Sequence, residues 1–337
     1  MAIIRTSDRG SFKACRRKWD LGSKLRQNYE PVAPAKPLEF GTAIHAGFEE
    51  YYDPLWWTKT TWQERSASAI GAFKAQCERQ KLRRLTVSGD ESLSLEEEED
   101  FAERLLLGVE MFKNYGQYYA DKDMFTPLYT ELEFEVPIEG TDHVYQGRID
   151  LVIEDAYGEY WIVDHKTRGS FGGTDHYTLD EQATSYAWAL EHMLKIPIAG
   201  VMFNEVLKAY PKKPEPLARG GFSQSKQQRT TYELYYQTLV ENNEPAHKYA
   251  EFLEFLKAKG NPFFRRIQIH KSPLELANQG EQIRLEALDM ANPDIPIYPS
   301  PGMFNCMGCA FSAPCMAIND GADIEWIMET SYRKRDY

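Results

Sequence analysis

The sequence predicts a mixed α/β fold, and three observations carry that prediction. Between 128 and 166 three runs alternate apolar and polar residues as strands do. Long helical periodicities precede them, and helices alternate with single strands after them. No internal repeat, low-complexity tract or long linker interrupts the 337 residues, so the chain reads as one compact unit with an inserted helical part.

The elements follow in order. A basic N-terminal segment, 1–40, leads into a helical region, 41–126. There GTAIHAGFEEYY (41–52) has helical spacing, and 62–85 and 95–119 read as long helices separated by a polar break at 88–94. The texture changes at Pro127, where a core region, 127–292, begins. Strands are predicted over 128–136 (LYTELEFEV), 144–153 (VYQGRIDLVI) and 160–166 (YWIVDHK), the last two joined by the turn Asp155-Ala-Tyr-Gly158. A helix over 179–194, an apolar strand over 200–207, helices over 249–259 and 273–290 and a strand over 263–269 complete this region. The Pro-rich stretch 293–301 opens a C-terminal cysteine segment, 293–337.

Hydrophobic residues make up 42% and charged residues 27%, a balance that excludes a disordered chain. No apolar run approaches the ~18 residues of a membrane span. The start, MAIIRTSDRG, has no stretch of the kind a secretion signal requires, so a cytoplasmic protein without a membrane partner is expected. The net charge of −12 is unevenly spread: 1–36 holds nine Lys/Arg against three acids, 257–271 holds five and no acid, and the surplus acid lies in 90–103. Basic surfaces able to follow a phosphate backbone therefore remain open, as does the plainer reading of solvated faces.

The chemistry concentrates on the central hairpin. Asp150 lies in G-R-I-D, and Asp164-His165-Lys166 ends the next strand, so both carboxylates are expected at one end of the sheet. Alternation puts Asp164 and Lys166 on one face. Two carboxylates beside an ammonium, among Val, Ile and Trp, are costly unless a cation or substrate requires them. Oxygen ligands of this kind suit Mg²⁺ or Mn²⁺, which lowers the pKa of a bound water and clamps a phosphate. Alone, a D-x-K on a hairpin is a surface ion pair. His45 and Glu49, and Gln182 and Tyr186, stand four apart on helices and keep it company.

Five cysteines in this length argue against a disulfide scaffold. Cys306, Cys309 and Cys315 form C-x2-C-x5-C and need a fourth ligand for a metal site, from Cys15 or Cys77. Cys15 is flanked by cations that lower a thiol's pKa, whereas Cys77 sits inside a helical pattern. Spacing leaves zinc and iron–sulfur open and brings the chain ends together.

Taken together, G-T-A-I-H (41–45), G-R-I-D-L-V (147–152), V-D-H-K-T (163–167), Q-A-T-S-Y (182–186) and the cysteine frame resemble the RecB-type nucleases of the PD-(D/E)xK superfamily. The resemblance is to the iron–sulfur branch, which includes CRISPR-associated spacer-processing nucleases and the nuclease domain of the AddB recombination subunit. It implies a restriction-endonuclease-like core, a mixed central sheet flanked by helices, with a helical insertion and an iron–sulfur staple between the terminal segments. By the same resemblance His45, Asp150, Asp164 and the carbonyl of His165 would ligate catalytic Mg²⁺ or Mn²⁺. Lys166 would position and activate the attacking water, and Gln182 and Tyr186 would contact nucleic acid or support the scissile phosphate. Cys15, Cys306, Cys309 and Cys315 would hold a [4Fe–4S] cluster, with zinc as the lesser alternative. The implied activity is a DNA nuclease, foremost an exonuclease on single-stranded ends in recombination, repair or end processing. A catalytically silent nucleic-acid-binding or assembly module of the same fold is the alternative. Asp164 stands where many relatives carry Glu or Asp, so its reach is shorter. No G-x-x-x-x-G-K-[ST] occurs, so any motor would come from a helicase, recombination or CRISPR partner; assembly of several copies stays open. Trp19, Tyr210, Phe263 and Phe264, interleaved with cations, are candidates for stacking bases.

Overall fold

The computed structural model describes residues 2–32, 36–88 and 92–335; Asp90 and Glu91 of the acidic stretch, in the expected break at 88–94, lie outside them. A short strand, β1 (Ile3–Arg5), and two helices, α1 (Thr6–Ala14) and α2 (Arg16–Gly22), precede β2 (Tyr29–Pro31). Then come α3 (Lys36–Tyr51), α4 (Trp62–Ser88) and α5 (Leu95–Tyr119), followed by β3 (Phe125–Pro137), β4 (Val144–Asp155) and β5 (Tyr160–Arg168). A 3₁₀ turn leads into α6 (Glu181–Leu194) and β6 (Ile198–Leu207). The order continues α7 (Tyr232–Glu241), α8 (Ala250–Lys259), β7 (Phe264–His270), α9 (Pro273–Ala291), α10 (Met303–Cys306), α11 (Ser312–Asp320), α12 (Glu325–Ser331) and β8 (Tyr332–Lys334).

Six strands form one mixed sheet. β3 runs antiparallel along one edge of β4, while β1, parallel, and β5, antiparallel, share the other edge. β6 pairs parallel with β5 and antiparallel with β7. Apolar residues of both faces are covered. Ile149, Val152 and Ile162 pack with α1, α6 and α9 residues such as Phe12, Trp188 and Ile283. Leu151, Ile153 and Trp161 pack with α3, α4 and α5 residues such as Phe48, Phe73 and Phe112. Burial on both faces removes more apolar area from water than a one-sided sheet could, and this is the main source of stability. Gly47 lets α3 approach α5: a Cβ there would lie 2.2 Å from the Phe112 ring. Helix α5 starts with a capping box, Ser94 accepting from the Glu97 N–H and Glu97 accepting from the Ser94 N–H, so the acidic run begins a helix.

The long elements lie where the periodicity predicts them, and the strands run a few residues further. The terminal elements β1, β2, β8, α1 and α2 are too short to declare themselves by pattern. The two chain ends do meet, through antiparallel pairing of Tyr29 with Lys334 and Pro31 with Tyr332. One expectation is corrected. Trp19, Phe263 and Phe264 are at most 2% exposed, because their rings fill the cores, and cannot stack bases; Tyr210 stays half-buried. Several cations of the basic stretches face inward: Arg9 meets Glu286 at 2.5 Å, Arg265 meets Glu205, and Arg266 meets Asp123 at 2.6 Å. Those charges are neutralised inside the fold. No helix among the described residues is long and apolar enough to cross a membrane.

Candidate active site

Three elements converge at one end of the sheet. The last paired residues of the β4–β5 hairpin are Leu151 and Val163, so Asp150 and Asp164 stand at the next cross-strand position, where the ladder stops. The freed backbone is used: the His165 N–H donates to Asp150 Oδ2 at 2.8 Å. Helix α3 lies over this end because Ala43, Ile44 and Phe48 are buried against the sheet, and that seating aims His45 at Asp150, Nδ1 to Oδ1 3.4 Å. The Phe48 ring stacks on the His165 ring at 4.2 Å and fixes the two elements together.

Glu131 on β3 was missed by sequence reasoning. It faces Asp150 across the β3–β4 ladder, between the pairs Thr130–Leu151 and Leu132–Ile149, and its backbone sits at φ 46°. A glutamate in the left-handed region inside a strand costs on the order of 1–3 kcal/mol and persists only where surrounding structure enforces it. The same point breaks the alternation of β4: Ile149 packs into one core and Leu151 into the other. The slip leaves Asp150 between the two cores. Glu131 Oε1 lies 4.0 Å from His45 Nδ1, and His45, Glu131 and Asp150 each offer a ligand atom within 4.8 Å of the others. In sequence, Thr-Glu-Leu-Glu-Phe-Glu (130–135) reads as one solvated acidic face, and only the register singles out its first glutamate.

Asp164 lies beside this trio and outside it. Lys166 Nζ stands 2.7 Å from its Oδ2 and 3.0 Å from its Oδ1, yet buried Oδ2 has no hydrogen bond of good geometry. Burial, with Asp150 alongside, outweighs the lysine and raises the Asp164 carboxyl to about 6. Burial opposes the Lys166 charge, but Asp164, Asp150 and Asp180 outweigh it and hold the ammonium above its ordinary value. His45 is lowered by burial and raised more strongly by Asp150, Glu131 and Asp164; it ends above the ordinary histidine value. The local field thus favours positive charge. The His165 ring is pushed down to about 3 by burial and stays neutral, bonded through Nδ1 to Asn204 at 2.8 Å.

Gln182 and Tyr186 are on α6, whose N-cap Asp180 accepts from the Ala183 N–H at 2.8 Å. Gln182 Nε2 donates to the Tyr186 hydroxyl at 3.4 Å, and both line a cavity with Gly147 and Arg148 beside the carboxylates. The four cysteines of the sequence frame line a different cavity, of about 350 Å³, between α2 and the C-terminal segment. Ser300 N–H points at Cys15 Sγ at 3.4 Å and an Arg17 N–H at Cys315 Sγ at 3.8 Å. Cys77 is buried in α4, packed among the α3–α5 core residues.

Residues 7–316 match the family model of the PD-(D/E)XK nuclease superfamily. No curated protein matches the sequence. Among solved structures, the crystal structure of SSO0001 is similar at 13% identity and a TM-score of 0.31, over 71% of this chain and 81% of that one.

Proposed function

This chain belongs to the PD-(D/E)XK nuclease superfamily, and we propose that it is a divalent-metal-dependent deoxyribonuclease, acting as an exonuclease on single-stranded DNA ends in recombination, repair or end processing. The observation that carries this reading is the His45–Glu131–Asp150 trio beside the Asp164–Lys166 pair, at the end of one hairpin. The donor set fits Mg²⁺ or Mn²⁺: it is rich in carboxylate oxygen, it raises the charge state of its own histidine, and it includes a buried Asp164 oxygen without a hydrogen bond. His45, Asp150 and Asp164, with the His165 carbonyl, are the ligands we assign, and Glu131 joins them. A cation held by these residues would lower the pKa of a bound water and clamp the scissile phosphate. Lys166, 2.7 Å from Asp164, would position and activate the attacking water and offset charge growing on the phosphoryl oxygens. Gln182 and Tyr186 are placed to meet the strand.

Single-stranded DNA labelled at either end, incubated with Mn²⁺ or Mg²⁺, tests the reading. Short labelled products are expected, the end lost first giving the polarity. Intact DNA with binding retained would mark a silent module instead.

Metal binding should depend on pH in a defined direction. With Asp164 raised to about 6, the fold prefers its protonated form; that contribution is complete below about 3.9 and is lost as pH rises through about 6. A cation must displace this proton and the one on His45, so its binding releases protons. The rise in melting temperature produced by a fixed Mn²⁺ concentration should be small at pH 5, grow through pH 6 and level above neutrality. An equal shift at pH 5 and 7.5 would contradict the ligand assignment.

For Cys15, Cys306, Cys309 and Cys315 we propose a [4Fe–4S] cluster with a structural role. Their shared cavity and the N–H groups aimed at two of the sulfurs support that reading. Anaerobically purified protein should be coloured and carry iron and acid-labile sulfide, and Cys309→Ala should lose both and unfold at lower temperature. A colourless protein with stoichiometric zinc would refute the cluster.

A further inference from the structure

The second edge of β4 is divided between two partners. β1 pairs with it over Val144–Gln146 and β5 from Leu151 onward, so residues 147–150 have no strand partner on that side. The gap opens on a cavity of about 530 Å³, large enough for a nucleotide. Gly147 floors it: a Cβ there would lie 2.5 Å from the Phe134 ring and 3.0 Å from the Tyr186 ring. Around the floor stand Arg5, Thr6, Arg148, Gln182 and Tyr186.

Two guanidinium groups dominate this lining. Arg5 Nη2 donates to Gln146 Oε1 at 2.7 Å, and among the described residues no carboxylate pairs with it. Arg148 is tied through Nε to Glu131 Oε2 at 2.8 Å while its side chain stays 61% exposed. Each fork has five donors, so most of both remain available to an anion. Glu133, across the ladder from Arg148, also lines the cavity, and with Glu131 already on Arg148 the two glutamates balance both guanidinium charges until a phosphate competes for the forks. Arg148 stands two residues before Asp150 on the same strand, which sets the cavity next to the carboxylates. Tyr186, whose ring lies against Gly147, adds an aromatic edge and a hydroxyl to the lining.

We propose that this cavity is a nucleotide subsite: it holds the part of the strand flanking the scissile bond, Arg148 and Arg5 taking the neighbouring phosphate and Tyr186 a base or sugar. The proposal rests on the nuclease reading of the adjoining carboxylates. It explains why the sheet leaves one strand edge open beside them, where a longer β1 would close it.

The test is equilibrium binding of a fluorescein-labelled oligothymidylate to the full chain in EDTA, as a function of salt. Arg5→Ala and Arg148→Ala should each weaken binding about 3–10-fold and lower the slope of log affinity against log salt by about 0.7, the single-strand value for one phosphate contact. Arg5→Lys should restore the slope and only part of the affinity, because the charge returns without the fork. Melting temperatures near wild type identify variants that have folded. Wild-type affinity and slope in both alanine variants, or no binding by the wild type, would overturn the subsite. Arginine-dependent binding of a strand that stays intact with Mn²⁺ would support the subsite and defeat the nuclease reading. Cleavage with no arginine dependence would do the reverse.

Discussion

Lys166→Ala should lower the maximal rate of DNA cleavage by about 10²–10³-fold at saturating Mn²⁺, the range for removing one positioned charge or donor from a transition state. Lys166 Nζ is 2.7 Å from Asp164 Oδ2 and half-buried, so nothing else replaces its charge at that point. The substitution has a second consequence. Asp164 already sits at about 6 despite the ammonium, and without it burial and Asp150 push the carboxyl higher, favouring its protonated form. That neutralisation limits the loss of stability to about 1–2 kcal/mol and weakens the metal site as well. Rates must therefore be compared at metal concentrations that saturate each protein. Lys166→Gln, which keeps a donor and loses the charge, should recover little. A rate within about threefold of wild type in either variant would remove Lys166 from the mechanism, since an effect that small is under 1 kcal/mol.

The residues of this pair were legible early because their relationship is local. A turn at 155–158 fixes the register of the hairpin, and the register places 150 opposite 164 without further information. His45 was legible only through resemblance, since nothing in a helical period says which strand end it meets. Glu131 was not legible. Its alternating neighbours Glu133 and Glu135 look identical in sequence, and what distinguishes it is a left-handed backbone that arises where β3 and β4 adjust to two cores. β1 was hidden for the opposite reason: three residues pair in parallel with a strand about 140 positions away, and no local pattern announces a partner at that distance. Without β1, the open edge between it and β5 could not be foreseen either. The basic stretches stayed ambiguous by counting alone. Charge along a sequence cannot distinguish an arginine facing solvent from one that finds a carboxylate across the fold, as Arg9 finds Glu286 and Arg265 finds Glu205.

Arg266 carries that lesson into stability. Its guanidinium meets Asp123 at 2.6 Å, bonds the hydroxyls of Tyr52 and Tyr115 at 2.9 and 3.1 Å, and lies 3.7 Å from the centre of the Tyr119 ring. The side chains of Arg266 and Asp123 are 15% and 3% exposed. Arg266→Met should cost about 3–5 kcal/mol, because it leaves a buried carboxylate with the Tyr52 hydroxyl as its remaining contact. The cost does not measure the worth of the pair. Burial already raises the Asp123 carboxyl in spite of the arginine, so the ion pair is held against an unfavourable environment. Arg266→Met combined with Asp123→Leu should then recover at least half of the loss, since removing both charges leaves no buried charge unpaired. Urea unfolding of the two single variants and the double variant supplies the cycle, and additive losses would show that the pair is not coupled. Activity gives a separate reading. Arg266 Nε reaches Asn204 Oδ1 at 3.4 Å, Asn204 holds the His165 ring at 2.8 Å, and the backbone N–H of His165 holds Asp150. The double variant should regain stability without regaining full cleavage, because restored packing does not rebuild the chain of bonds that orients Asp150.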